Sequence, residues 1–300
     1  MQVESRDVDE VKMRDLVVRE IRVKKALSRS GLPEYDYSLN PYIGCQHGCL
    51  YCYAQDMTRG EAGERWGEVV YVKINLIDVL RREVRILKRG VVGMSTITDP
   101  YIPIEAFYKL SRRSIEILAS NSFRISIQTK SPLILRDLDL LTTYRDRIDV
   151  GFTITTLDPD LKRLIEPKTT HPMAIERALR KISSSGISTW IFIGPIIPRI
   201  NDKLEDIRRI IELARETKSE VIIDLFRERE RGLKALEKNL GSEEIRRIMN
   251  TKTHIWWRDL SEAIMRICRE QNVRCSTAED MWKTLSEERS WKNLKLDLFK

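Results

Sequence analysis

Between residues 35 and 225 the chain switches six times between short apolar runs and stretches whose apolar residues recur at helical spacing. The runs cover residues 35–42, 91–97, 123–128, 148–154, 188–193 and 221–225, and a further extended run lies at 69–74. Between them, Leu80, Val84 and Leu87 share one helical face, and so do Ile104, Phe107, Leu110, Ile115 and Leu118. Residues 133–143 read as a helix, and Ile175, Ala178, Leu179 and Ile182, then Leu204, Ile207, Ile211 and Ala214, repeat the helical spacing. Strand and helix alternating through short connections mean stacked βαβ units with right-handed crossovers and a parallel sheet. Six such units make an α/β fold, a partial (β/α)6 TIM-like barrel. Residues 1–35 are expected to be an N-terminal extension, 36–235 the barrel, and 236–300 a C-terminal helical region packed on it. Helices expected at 242–249 and 260–269 would cap or flank the barrel bottom.

A chain of 300 residues is long enough to bury a sizeable core. No stretch approaches the length of a membrane span, and the polar, acidic residues 1–9 do not read as a signal peptide. No membrane association is expected, and the five cysteines, three of them clustered, argue against a disulfide framework and fit a reducing cytoplasm. The formal net charge of +8 permits a polyanionic partner such as nucleic acid.

In a parallel barrel, functional groups collect at the C-terminal ends of the strands. One stretch close behind the first strand, NPYIGCQHGCLYCYAQ at residues 40–55, carries Cys45, Cys49 and Cys52 in a C-x3-C-x2-C spacing. Three thiolates so close in sequence, on a loop with Gly44 and Gly48, can turn onto one centre. A [4Fe–4S] cube takes four ligands, so three cysteines leave one iron open to bind a further molecule. The competing reading is a zinc site made of Cys45, His47, Cys49 and Cys52. Structural zinc takes its ligands as two short pairs separated by a longer loop, whereas these four fall within eight residues.

The other strand ends are polar: Thr96, Thr98 and Asp99; Thr129, Lys130 and Ser131; Thr153, Thr155 and Thr156; and Asp224. A lysine there suits a carboxylate, and threonines and an aspartate suit amino and hydroxyl groups. Cys268 and Cys275 remain as spare thiols, expected to be core or subsurface.

The cysteine spacing with an aromatic before the last cysteine, Tyr51, resembles the signature of radical S-adenosylmethionine enzymes. The longer context is similar to their spore photoproduct lyase-like, DNA repair photolyase-related branch. The resemblance runs from about residue 27 to 224 and takes in Thr98-Asp99-Pro100, Thr129-Lys130-Ser131, and Glu166-Pro167 followed by Arg177. It implies the partial barrel, a [4Fe-4S] cluster on Cys45, Cys49 and Cys52, and S-adenosyl-L-methionine chelated at the open iron. Reductive cleavage to a 5′-deoxyadenosyl radical and methionine would follow, with an electron donor such as a ferredoxin or flavodoxin as partner. It also implies cofactor contacts from Lys130, from Thr153 or Thr155, from Tyr51 and Tyr53, from Thr98 and Asp99, and from Arg177. Two departures matter. The Gly-Gly-Glu element of the wider superfamily is absent, with residues 96–99 in its place. The second strand end, Ser95-Thr96-Ile97-Thr98, also lacks the cysteine that spore photoproduct lyase uses to return a hydrogen atom.

Overall fold

The computed structural model describes residues 10–13 and 16–286. Its strands, in chain order, are β1 (Glu10–Met13), β2 (Leu16–Ile21), β3 (Leu27–Arg29), β4 (Tyr37–Leu39), β5 (Tyr42–Ile43), β6 (Val69–Lys73), β7 (Val91–Met94), β8 (Arg124–Thr129), β9 (Ile148–Thr153), β10 (Ser188–Ile196), β11 (Glu220–Leu225) and β12 (Cys275–Thr277). Eight of them form one sheet in the order β12-β11-β10-β9-β8-β7-β4-β3. Every neighbouring pair from β4 to β12 is parallel, and β3 joins β4 antiparallel at the edge. The six expected strands are therefore consecutive, and β12 adds a seventh parallel strand that the sequence did not announce.

Alternation along the strands separates two environments. Ile125, Ile127, Val150, Phe152, Ile191, Ile193, Val221 and Ile223 are buried and share one core with Ile115, Leu118, Leu179 and Ile211 of the covering helices. Each such side chain contributes about 1.5–3 kcal/mol on burial. The alternate residues, Ser126, Gln128, Asp149, Thr153 and Trp190 among them, face the barrel interior. Ser126 Oγ and Trp190 Nε1 both donate to Asp149 Oδ1, at 2.6 and 2.8 Å. The Trp190 ring lies against the backbone of Gly151, where a Cβ would come within 2.2 Å of it.

The run at 69–74 does not join the barrel. As β6 it pairs parallel with β2 and antiparallel with β5, in a small sheet ordered β1-β2-β6-β5. The N-terminal extension is thus strand-forming in both sheets.

Other differences have local causes. The helix expected through Ile104 to Leu118 is two, Glu105–Tyr108 and Leu110–Ser120, broken at Lys109, which is left-handed at φ 51°. The Glu105 carboxylate accepts from the backbone N–H groups of Ser111 (3.0 Å) and Arg112 (3.3 Å) and so anchors the second start. Pro132 opens a 3-10 turn, Pro132–Asp137, ahead of the helix Leu138–Thr143. Two helices, Pro159–Ile165 and Glu230–Leu240, were not expected. Of the C-terminal helices, His254–Glu270 flanks the barrel against Leu204–Glu216. Ser242–Thr251, in contrast, packs with Glu230–Leu240 against Cys49 and Tyr51, on the side of the cysteine loop rather than at the barrel bottom.

Cys268 and Cys275 are not spare thiols. They form a disulfide with a Cα–Cα distance of 6.2 Å, tying the end of His254–Glu270 to β12. The turn between them, closed by Val273 N–H donating to Cys268 O at 2.9 Å, brings the two together. Among the described residues no helix is long and apolar enough to cross a membrane.

Candidate active site

The cysteine loop leaves β5 at the C-terminal end of the barrel and is anchored at every turn. Asn40 stands at its entrance, where Oδ1 accepts from the N–H groups of Thr96 (2.9 Å) and Ile97 (3.0 Å) beyond β7. Gly44 has φ +84°, and a Cβ there would come within 2.4 Å of Val69 O, so only glycine fits this approach to β6. Thr98 Oγ1 donates to Gly44 O at 2.6 Å, and Gln46 Oε1 accepts from Ile104 N–H at 2.7 Å. Leu50 N–H donates to Ile165 O at 2.9 Å. The buried Gln55 side chain donates to Cys49 O (3.1 Å) and Leu50 O (3.0 Å). From beyond the C-terminal end of β11, Arg231 Nη1 donates to Gln55 O (2.8 Å) and Thr58 O (3.0 Å), and its N–H donates to Asp56 Oδ1.

Cys45 and Cys49 are buried, Cys52 is half-buried, and all three are free. Burial pushes the Cys52 thiol up to about 12 and Cys49 well above the ordinary thiol value. The Glu166 carboxylate and the neighbouring thiols add to the effect at both, and the Lys130 ammonium opposes it. Cys49 and Cys52, whose ionisation is opposed here, need a positively charged centre to become thiolates, and iron supplies one. The donor set therefore fits an iron–sulfur centre.

The fourth ligand that a single zinc would need is engaged elsewhere. Among the described residues, no three His, Cys, Asp or Glu side chains are grouped to hold one metal ion. Thiolates on separate corners of a cube stand farther apart than the ligands of one tetrahedral ion. His47 is otherwise engaged, since its Nδ1 lies 3.4 Å from Asp99 Oδ2 in a buried ion pair. Burial opposes its charge, but Asp99 and Cys45 carry it up to about 10. A zinc-bound imidazole is neutral.

The structure sorts the expected cofactor contacts. Lys130 sits at the end of β8 with its ammonium 5.8 Å from the centre of the Tyr51 ring. Burial works against its charge, but Cys49, Glu166 and Cys52 outweigh that and hold its pKa above the ordinary lysine value. Thr153 Oγ1 accepts from Gln128 Nε2 at 3.0 Å, and Thr155 Oγ1 donates to Glu166 Oε1 at 2.8 Å. The half-exposed Tyr53 hydroxyl donates to Thr96 O.

Thr98 and Asp99 have other work. Thr98 holds Gly44. The Asp99 carboxylate is already occupied by His47, Tyr101 N–H (2.8 Å), Thr129 Oγ1 (2.7 Å) and Lys130 N–H (2.7 Å). Both position the loop and Lys130; the Asp99 oxygens are filled by these four partners, while the Thr98 hydroxyl keeps acceptor capacity. Arg177 does not join the site. It stands on the exposed side of the helix Pro172–Ser184, where its guanidinium meets Met173 Sδ at 3.2 Å.

Sequence reasoning missed Asn40, Gln46, Gln55 and Arg231 as parts of this site. Asn40, Gln46 and Gln55 lie within or at the ends of the cysteine stretch, which was the available signal. Arg231 sits in a mixed-charge run and gave none.

Residues 39–225 match the Radical SAM superfamily, and the chain belongs to it. An uncharacterised protein of Methanocaldococcus jannaschii is 37% identical over 182 residues, 61% of this chain and 68% of that one. The radical SAM Nα-GlyT isomerase of Pseudomonas phage M6 is 26% identical over 174 residues, 57% of this chain and 35% of the isomerase. Among solved structures, spore photoproduct lyase complexed with dinucleoside spore photoproduct superposes with a TM-score of 0.66 at 16% identity, covering 88% of this chain and 81% of the lyase. The protein is thus a radical SAM enzyme with the partial-barrel fold of that lyase, using a [4Fe–4S] cluster and S-adenosylmethionine.

Proposed function

We propose that this enzyme carries out lyase-type radical chemistry on a nucleic-acid component, fed by a small reducing protein such as a ferredoxin or flavodoxin. The observation that carries the radical step is the loop itself: three free cysteines on one anchored turn at the C-terminal end of a parallel barrel, facing the Lys130 ammonium. When bound, the cluster and S-adenosylmethionine supply an electron and a 5′-deoxyadenosyl radical that abstracts hydrogen from a substrate. The protein's share is placement. Cys45, Cys49 and Cys52 would hold the irons. Lys130, a fixed cation, would take the amino acid carboxylate of the cofactor. Tyr51 and Tyr53 would bound the pocket on either side of Cys52.

The nucleic-acid substrate is supported by the dinucleoside photoproduct bound in the lyase of like fold and by the net charge of +8. The strand end at residues 95–98 offers no thiol, so hydrogen return by a cysteine at that place, as resemblance to spore photoproduct lyase would have it, does not apply here.

Anaerobic reconstitution with iron and sulfide, then dithionite and S-adenosylmethionine, tests the radical step. 5′-Deoxyadenosine is expected from the native chain and none from Cys49→Ala. A native protein that loads four irons yet yields no 5′-deoxyadenosine refutes it. Hydrogen transfer from deuterated oligonucleotides into 5′-deoxyadenosine tests the substrate, and its absence with every lesion or modified base tried rejects nucleic acid.

A further inference from the structure

Behind the cysteine loop lies a buried ion pair that the cofactor contacts do not require. Glu166 is fully buried, and the Lys162 side chain is 5% exposed. The Glu166 carboxylate accepts from Lys162 Nζ, the Tyr51 hydroxyl, Thr155 Oγ1 (2.8 Å) and Thr169 Oγ1 (3.3 Å). Tyr51 lies between Cys49 and Cys52, and its ring carries the Lys130 ammonium on its face. The residue before the carboxylate, Ile165, accepts the Leu50 N–H. One short segment, residues 162–166, therefore grips the middle of the cysteine motif through both backbone and side chain.

We propose that Glu166, balanced by Lys162, is a positioning residue that seats Tyr51 beneath Lys130 and sets the reduction potential of the iron–sulfur centre. This rests on the reading of the three cysteines as cluster ligands. Because the pair is buried, a charge here is screened less than one at the surface. A carboxylate repels an incoming electron and an ammonium attracts one, so the intact pair leaves little net field. Of all the charged groups, Glu166 bears most strongly on Cys49, whereas Lys162 stands one step farther back. Removing either member leaves the other uncompensated behind the ligands, with opposite consequences. Glu166→Gln removes the charge and keeps an acceptor oxygen for Tyr51 and Thr155; its amide NH2 then faces Lys162 and Thr169, and the double variant with Lys162→Met removes the ammonium from that meeting.

The test is an EPR-monitored redox titration of reconstituted holoenzyme for the native chain, Glu166→Gln, Lys162→Met and the double variant, each with iron and sulfide counted. Glu166→Gln is expected to raise the midpoint potential, with the reduced fraction at a fixed potential growing about tenfold, or 59 mV for one electron. Lys162→Met is expected to lower it, and the double variant to return close to the native value. A packing role alone would move the variants in one direction or not at all, and either result overturns the proposal. Should Glu166→Gln fail to load, the sign for Lys162→Met decides: a fall supports the proposal and no change overturns it. A native protein that binds no four-iron cluster overturns the reading underneath as well, a failure separable from the first by the metal count.

Discussion

Lys73, at the end of β6, is a charge held where water cannot reach it. The residue is 6% exposed, and its ammonium donates to Asn40 O at 2.7 Å. Burial lowers its pKa from 10.5 to about 8. Those values stand about 2.5 pH units apart, so at 1.36 kcal/mol per pH unit the charged form costs about 3 kcal/mol relative to the unfolded chain. The bond to Asn40 O returns about 1.5–3 kcal/mol. Lys73→Met should therefore change stability at pH 7 by less than about 2 kcal/mol. The slope with pH is more telling. Below pH 8 the lysine is charged in both states, and the cost is constant. Between pH 8 and 10.5 the unfolded chain holds the proton and the folded one has released it, so native stability rises with pH. The rise amounts to about 2.5 kcal/mol by pH 10. The variant lacks it. Urea unfolding of both proteins at pH 7 and pH 10 should show the variant losing about 2.5 kcal/mol relative to the native chain across that interval. Other groups titrate alike in both proteins and cancel. A stability difference that stays level between the two pH values refutes the assignment of a charged, desolvated lysine.

Two further substitutions probe the loop. Gly44→Ala places a side chain at φ +84° and 2.4 Å from Val69 O. It should cost more than about 2 kcal/mol and lower bound iron per chain, and a fully loaded variant of native stability refutes the close approach. Arg231→Ala removes two bonds to loop carbonyls, a loss of about 3 kcal/mol. It should make residues 54–58 newly sensitive to limited proteolysis, and an unchanged cleavage pattern counts against the clasp.

The strands β7 to β11 were legible because each is a short apolar run closed by polar, glycine or proline residues, and local pattern is enough to find such elements. Partnership was not. Val69–Lys73 has the same apolar character, but its pairing with β2 lies about fifty residues back, beyond any local rule. Glu230–Leu240 buries only Gly232 and Leu236, so its apolar stripe is too thin to read, and its packing surface is the distant cysteine loop. The cysteines announced themselves by spacing. Glu166 was legible only through the family resemblance, which takes in Glu166-Pro167; its tie to the cysteine loop was not, because that tie is made to Tyr51, 115 residues earlier. The roles of Thr98 and Asp99 shifted for a similar reason. Their residue types suit a cofactor, and the structure also ties them to Gly44, His47 and Lys130, which no local pattern shows.

The clasp of Arg231 on Gln55 and Thr58 also orders events in time. The three cysteines come early relative to their supports: the guanidinium that closes over their loop follows 176 positions after Gln55. Ile165 and Glu166, which hold Leu50 and Tyr51, come in between. Until residues 165, 166 and 231 have been made, the cysteine loop lacks these distant supports. The complete cradle exists only once the chain has been made through the helix Glu230–Leu240.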